Sequence, residues 1–393
     1  MLRITGFPQH YAWGSHVRLP EFLGTSPSPE PLAELWFGAH ELGSATTATG
    51  ERLADLIATH PREYLGPSTR FMFGDRLPYL MKLIAPAAPL SLQVHPNKRQ
   101  AEAGFSAEEE DGIGRSDPQR IYRDDNHKPE LLYALTEFTL LAGFSVRRQV
   151  RELLDGLEVP LAYRLGRRLR LAAGRAMKPV VSWLLDPDSA PDRAEIDQFA
   201  QACSERLEAG RSPLPLLDST VRYLAEAYPG DPGVIVAFLM NPVRLEPGEA
   251  IYLPPRTLHS YLDGFGLEVM ANSDNVIRAG LTPKHIDRTQ LVEVGQFDAH
   301  PPVRLAPEYP SEGIRRYYAP VEDFELSVVS LDAQTMPLLG TGPRLVICLQ
   351  GSPTVMTRAG ELELRRGECV FVTASEGPML SSGTGVLAQC AVP

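Results

Sequence analysis

The sequence predicts a mainly β protein of jelly-roll or small-barrel type, interrupted by a block of α-helices. Three observations carry this. The 36 prolines and 32 glycines among 393 residues suit many short strands and turns rather than a helical protein. Short apolar runs separated by turn signals fill residues 1–144 and return from Val234 onward, a spacing that favours a jelly roll or barrel over a parallel sheet. Between them, residues 145–232 change to a helical period.

In the first zone the strand-like runs are PYLMKLI, LSLQVHP and LLYALTEFTLLAGF. In the second, Val146, Val150, Leu153, Leu154 and Leu157 recur at helical spacing, as do Ile196, Phe199, Ala200, Cys203 and Leu207, and then Leu217, Val221, Leu224, Ala225 and Tyr228. In the third the runs are VIVAFLM, AIYLP, LEVMAN, FELSVVSL, RLVICLQG, ECVFVTA and VLAQCAV, punctuated at Pro247-Gly248, Asp263-Gly264 and Gly383-Thr384-Gly385. A faint repeat links LEPGEAIYLPPRTLH (245–259) to LRRGECVFVTASEGP (364–378). Aligning Gly248 with Gly367 sets His259 opposite Pro378, so if two barrels share a plan, only the first carries a histidine there. Chance recurrence of a G-E-x-apolar strand explains the pair equally well.

At roughly 150 residues per domain, this length gives two or three compact units. The 49 acidic and 38 basic residues leave a net charge of −11, which argues against nucleic acid as a general partner. No apolar stretch reaches the ~18 residues of a membrane span, and MLRITGFPQHYAWGS has no signal-peptide pattern. Cys203, Cys348, Cys369 and Cys390 lack metal-type or redox-type spacing and read as buried free thiols of a cytoplasmic protein. Walker A, dinucleotide-glycine and G-x-S-x-G motifs are absent from the sequence, leaving ATP, nicotinamide and serine-hydrolase chemistry unsupported.

Several polar residues sit at strand ends. Gln93 and His95, two apart, share one face of a strand; alone, such a pair is more often a surface histidine beside a proline than half of a metal site. His127-Lys128-Pro129-Glu130 precedes an apolar run, where Pro129 marks a strand start or edge. Glu130 is expensive there unless paired or bound to a cation, and a surface ion pair with Lys128 serves equally. His259 alone fits a hydrogen-bonded barrel histidine. Together, Gln93, His95, Glu130 and His259 offer two imidazoles, a carboxylate and a neutral oxygen, a donor set that suits Zn²⁺ without excluding Mn²⁺, Fe²⁺ or Co²⁺. The segment 270–287 holds Asp274, Arg278, Lys284 and His285; it reads as a solvated loop or, through Arg278 and Lys284, as a phosphate site. The basic series Arg164, Arg167, Arg168, Arg170, Arg175 and Lys178 reads as a solvated helix face.

The blocks QHYAWGS, AELWFGAH, PLSLQVHPNK, DDNHKPELLYALTEF, PGEAIYLPPRTLHSYLDG and LEVMANSDNVIRAGLTPKHID, in this order, resemble type I mannose-6-phosphate isomerases, zinc enzymes of the cupin superfamily. The likeness spans nearly the whole chain and is poorest in the helical insertion. It implies two cupin barrels with an inserted helical domain: residues 1–144 with 233–300 as the metal-binding catalytic unit, 145–232 as the helical insertion, and 301–393 as a second barrel without metal. It implies one Zn²⁺ per chain on Gln93, His95, Glu130 and His259, with Arg278, Lys128, His127 and Asp274 catalytic and Ser91 and Lys284 on the substrate phosphate. Phe37 stands where the family often has Met. The implied activity is the aldose–ketose interconversion of D-mannose 6-phosphate and D-fructose 6-phosphate through a metal-stabilised enediol(ate). The proton carrier is left open among Asp274, His127, His285 and metal-bound water. A non-catalytic sugar-phosphate-binding cupin and a metal-dependent cupin oxygenase are the alternatives; the extra Gln93 counts against the latter's facial triad. A small sugar phosphate, and neither nucleic acid nor membrane, is the expected partner, with the chain a monomer or weak homo-oligomer.

Overall fold

The computed structural model describes residues 1–115, 117–171, 177–284 and 286–393; Arg175 and His285 lie outside the described residues. The described residues form a helical layer and four larger open sheets, with a two-stranded pair, Ala39–His40 and Gly43–Ser44, beside them; none of these sheets is closed on itself. A five-stranded antiparallel sheet runs in the order Met240–Leu245, Phe138–Phe144, His259–Asp263, Leu92–Val94, Ile277–Gly280. A seven-stranded sheet follows, in the order Val303–Leu305, Ala250–Leu253, Glu130–Ala134, Gly266–Ala271, Tyr79–Ile84, Glu34–Phe37, Phe7–Gln9. An eight-stranded sheet centred on Thr384–Ala391 and a four-stranded sheet centred on Met379–Ser382 complete the stack.

Continuous apolar runs make this layering possible, because strands buried on both faces need apolar residues at every position. In Glu130–Ala134, Leu132 faces the interior between the five- and seven-stranded sheets with Phe138, Leu140 and Ile251. Its neighbours Leu131 and Tyr133 face the eight-stranded sheet. In Arg344–Gly351, Leu345, Ile347 and Leu349 belong to that second interior, and Val346 and Cys348 to a third one against the four-stranded sheet. The outer face of the five-stranded sheet, through Leu92, Val94, Leu141 and Ile277, meets the helices. All four cysteines are buried and free.

The helical insertion forms as its periodicity requires, with helices Arg147–Leu154, Pro160–Leu171, Met177–Leu184, Arg193–Glu208 and Pro215–Ala227. Asp192 starts one of them with a capping box to Glu195. The strand expected over VIVAFLM is corrected: Gly233–Phe238 is a helix, and the strand begins at Met240. Every residue of that short run is buried, so it has no polar face to reveal its period. The Asp231 side chain accepts the Gly233 N–H at 2.7 Å and opens the helix.

The N-terminal strand Leu2–Thr5 lies, with Thr46–Thr47 beside it, in the sheet of the C-terminal strands. It pairs with Cys369–Val372 in the eight-stranded sheet, while Val303–Leu305 pairs back with Ala250–Tyr252. Both G-E strands of the faint repeat follow glycines with positive φ, 92° at Gly248 and 85° at Gly367.

Within the helical layer, Arg206 grips Asp218 bidentately, Nε to Oδ2 at 2.8 Å and Nη2 to Oδ1 at 2.5 Å, and donates to the Leu153 carbonyl at 2.6 Å. Both side chains are buried. Asp218→Ala leaves the guanidinium uncompensated and should destabilise the fold by about 3–5 kcal/mol, read from urea unfolding by circular dichroism. A loss below about 1 kcal/mol, the scale of an exposed pair, would contradict the buried geometry.

Candidate metal centre

The space between the five- and seven-stranded sheets opens at one end into a cavity of about 710 Å³. Strand register builds its floor. On the five-stranded sheet Gln93 is directly opposite both His259 and Arg278, so three side chains line up across adjacent strands. Glu130 begins a central strand of the facing sheet, opposite Leu253 and Met270. The five-stranded sheet thus sets Gln93 beside His259, 166 positions away in sequence, and the facing sheet adds Glu130.

His95, Glu130 and His259 place one ligand atom each within 4.8 Å of one another, and all three are buried. Both imidazoles donate from Nδ1 to main-chain carbonyls, His95 to Asn275 at 2.6 Å and His259 to Thr257 at 2.9 Å. These bonds fix the tautomer and leave the Nε2 lone pairs facing inward. There, His95 Nε2 lies 3.3 Å from Glu130 Oε1, and His259 Nε2 lies 3.2 Å from Oε2. With the ring protons on Nδ1, these are acceptors meeting acceptors. His95 Nε2 and Glu130 Oε2 are buried with no hydrogen-bond partner. The Gln93 amide comes within 3.3 Å of His259 Nε2; a half-turn of the amide presents its oxygen there instead. Converging lone pairs with no proton between them fit a divalent cation, and two imidazoles with one carboxylate and an amide oxygen fit zinc chemistry.

The electrostatics agree. Burial, aided by the positive charge of Lys128, lowers the His95 pKa to about 4, so the ring is neutral and ready to ligate. Burial alone would raise the Glu130 carboxyl, but the adjacent Lys128 charge outweighs it and holds the carboxyl well below its ordinary range. The Lys128–Glu130 ion pair exists, at 3.1 Å, yet it is buried beside the imidazoles rather than on the surface. Ion pair and ligand cluster are thus both present.

Ser91, Lys128, Asp274, Arg278 and Lys284 line the same cavity as Gln93 and Glu130. His127 does not line it: its Nε2 lies 3.0 and 3.2 Å from the two carboxylate oxygens of Asp323, a buried residue just before the strand Glu325–Asp332. Sequence reasoning missed a second charged layer on the cavity wall. Lys82 is buried over the Trp36 ring, 3.3 Å from Glu268 and 3.8 Å from Glu34. Tyr261 donates to Glu268 at 2.7 Å and Trp36 to Glu34 at 2.6 Å. Burial opposes the Lys82 charge, but the two carboxylates outweigh it and raise its pKa. A Lys or Glu inside runs as apolar as YLMKLI and LEVMA is the signal that was available. His40 Nε2, 3.6 Å from Asp274, was also missed.

Residues 1–147 match the family model for the phosphomannose isomerase type I catalytic domain. The mannose-6-phosphate isomerase of Escherichia coli K12 is 36% identical over 406 residues, covering 99% of each chain. That of Salmonella typhimurium LT2 is 37% identical with the same coverage. A crystal structure of the Salmonella typhimurium enzyme bound to substrate (fructose 6-phosphate) and zinc superposes with a TM-score of 0.89 at 35% identity, covering 100% of this chain and 99% of the other.

His259→Ala should reduce the protein's affinity for added Zn²⁺ by at least 10-fold to 100-fold, the scale already seen for lost supporting contacts, whereas His60→Ala on the exposed surface should not. Chelator competition measures both, and equal affinities would show that His259 is not a ligand. The His95 shift has a signed consequence for chelator-treated protein. Its folded pKa lies below the ordinary ~6.5, so the unfolded chain takes up the proton first. Stability tied to His95 is complete above about pH 6.5 and is lost as pH falls towards 4. Across that window the thermal midpoint should fall more steeply for wild type than for His95→Asn; parallel curves would refute the neutral, buried assignment.

Proposed function

The chain belongs to the type I phosphomannose isomerase family, and from that premise we propose how its cavity interconverts D-mannose 6-phosphate and D-fructose 6-phosphate. The observation that carries the reading is the set of unpartnered, inward-facing donors, His95 Nε2 and Glu130 Oε2, at a cavity that also holds Lys128, Asp274 and Arg278. His95, Glu130, His259 and, through its amide oxygen, Gln93 would hold one zinc ion. When bound, the ion supplies Lewis acidity at the C1–C2 oxygens of the open-chain sugar.

The chain's own groups carry the rest. Isomerisation removes the C2 proton, passes through an enediol and returns a proton to C1, while the oxygen proton moves from O2 to O1. Asp274 is on the cavity wall, tied to His40 and to its neighbour Asp124, whose carboxylate accepts the Asp274 N–H at 2.7 Å. We assign it the carbon-bound proton, a role within reach of a held carboxylate. Arg278 is level with Gln93 across the sheet and stays charged throughout; it stabilises negative charge growing on O1 and O2. Lys128 holds Glu130 ionised. Ser91 and Lys284 take the phosphate. His127, held by Asp323, positions the 127–130 segment rather than moving the proton.

We read the paired sheets as two cupin-type barrels, the five- and seven-stranded sheets forming the metal-binding one from residues 1–144 and 233–300, and residues 301–393 supplying most of a second barrel without metal. The interiors shared by facing sheets support this. Among the described residues no helix is long and apolar enough to cross a membrane. A monomer or weak homo-oligomer in the cytoplasm is part of the same reading.

Formation of fructose 6-phosphate from mannose 6-phosphate tests the function, and its absence in zinc-loaded protein would sink it. Four variants with normal zinc content separate the roles. Arg278→Ala should lower kcat about 10²-fold or more, as loss of a charge-stabilising donor does, and Arg278→Lys should recover little. Lys284→Ala should mainly raise KM, because the phosphate is unchanged along the reaction. Asp274→Asn should nearly abolish exchange of the C2 proton with solvent; wild-type exchange in that variant would move the base elsewhere.

A further inference from the structure

Resting on the sugar-phosphate reading above, we propose that Arg123 is a phosphate-binding residue, closing a two-cation clamp with Lys284 at the cavity mouth. Arg123 lies seven residues before Glu130, in a segment whose acidic and amide side chains mask it in the sequence. In the fold it lines the same cavity as Arg278 and Lys284.

Neutralising partners are missing where they would be expected. Among the described residues, Arg123, Arg278 and Lys284 form no ion pair with a carboxylate, although acidic groups surround them. Those acids are committed elsewhere. Asp124 accepts from the Ser273 hydroxyl at 2.8 Å and from the Asp274 and Asn126 N–H groups at 2.7 and 2.9 Å. Asp125 pairs with Arg76, and Asp274 lies beside His40. Three cations left facing one volume, in a chain of net charge −11, build a local positive field that selects an anion. Their proximity registers in their basicity: after burial, Arg123 is the main influence lowering the Arg278 pKa, and Arg278 and Arg123 together lower that of Lys284.

Depth separates the three. Arg278 is half-buried and level with Gln93, whereas Arg123 and Lys284 are exposed at the rim. A hexose phosphate has its reacting carbons at one end and its dianion at the other, so the deep cation suits C1–C2 and the rim cations suit the phosphate. The main chain at Arg123 is also anchored. Its N–H donates to Asn275 Oδ1 at 2.7 Å, and the carbonyl of this fully buried Asn275 accepts from the metal-site ring of His95. One residue thereby fixes the spacing between rim and metal floor. A guanidinium there adds a planar fork to the point charge of Lys284.

The test uses zinc-loaded full-length protein and D-mannitol 6-phosphate, which has the phosphate but no carbonyl to isomerise. In calorimetric titration, Arg123→Ala should weaken its binding on the order of tenfold to a hundredfold, the loss expected for a hydrogen bond to a charged group. Arg123→Lys should recover part of this. KM for mannose 6-phosphate should rise in parallel, with kcat changed less than about threefold, the signature of binding common to ground and transition states. Unchanged mannitol 6-phosphate affinity in Arg123→Ala, or a fall in kcat at constant KM, overturns the assignment. Failure of wild type to isomerise mannose 6-phosphate strikes the underlying reading instead, and the calorimetric comparison still decides whether Arg123 binds the phosphate.

Discussion

A single buried carboxylate imposes the arrangement of the whole site. Glu130 is 1% exposed, and an ionised carboxylate in such a place costs several kcal/mol unless its charge is answered. Lys128 answers part of it on Oε1. His95 Nε2 faces that same oxygen and His259 Nε2 faces Oε2, and both rings have their protons committed to carbonyls of Asn275 and Thr257. A cation between the three answers that convergence, which ties metal binding to the charge balance of the site as well as to its chemistry.

Everything around Glu130 serves to hold that convergence still. Its strand is central in a seven-stranded sheet and buried on both faces, and the two histidines come from or beside strands of the opposite sheet. Asn275 joins the loops: its side chain binds the 123–126 segment through five contacts, and its carbonyl orients His95. The eight-stranded sheet takes part too, since Asp323 fixes His127 immediately before Lys128. The C-terminal unit therefore buttresses the metal segment from behind.

Much of this was legible from residues alone, for a physical reason. Strand periodicity puts Gln93 and His95 on one face, and a carboxylate opening an apolar strand demands a cation; both inferences need only local sequence. The pairing of Glu130 with both histidines is a matter of sheet order and had to come from resemblance. Lys82, Glu34 and Glu268 lie in three separate apolar runs, each an isolated anomaly until the sheet places them together. The turn of His127 towards Asp323 spans 196 residues and has no local signature. Residues 233–238 were misread because burial on every side erases periodicity.

The central claim is that one metal ion, held by Glu130 and its three neighbours, completes both the fold's charge balance and the isomerase. It is tested most directly by titrating Zn²⁺ into chelator-stripped protein while following fructose 6-phosphate formation. The rate should start near zero, rise linearly and break at one equivalent per chain. Full turnover before any metal is added, or a break at two equivalents, would contradict it.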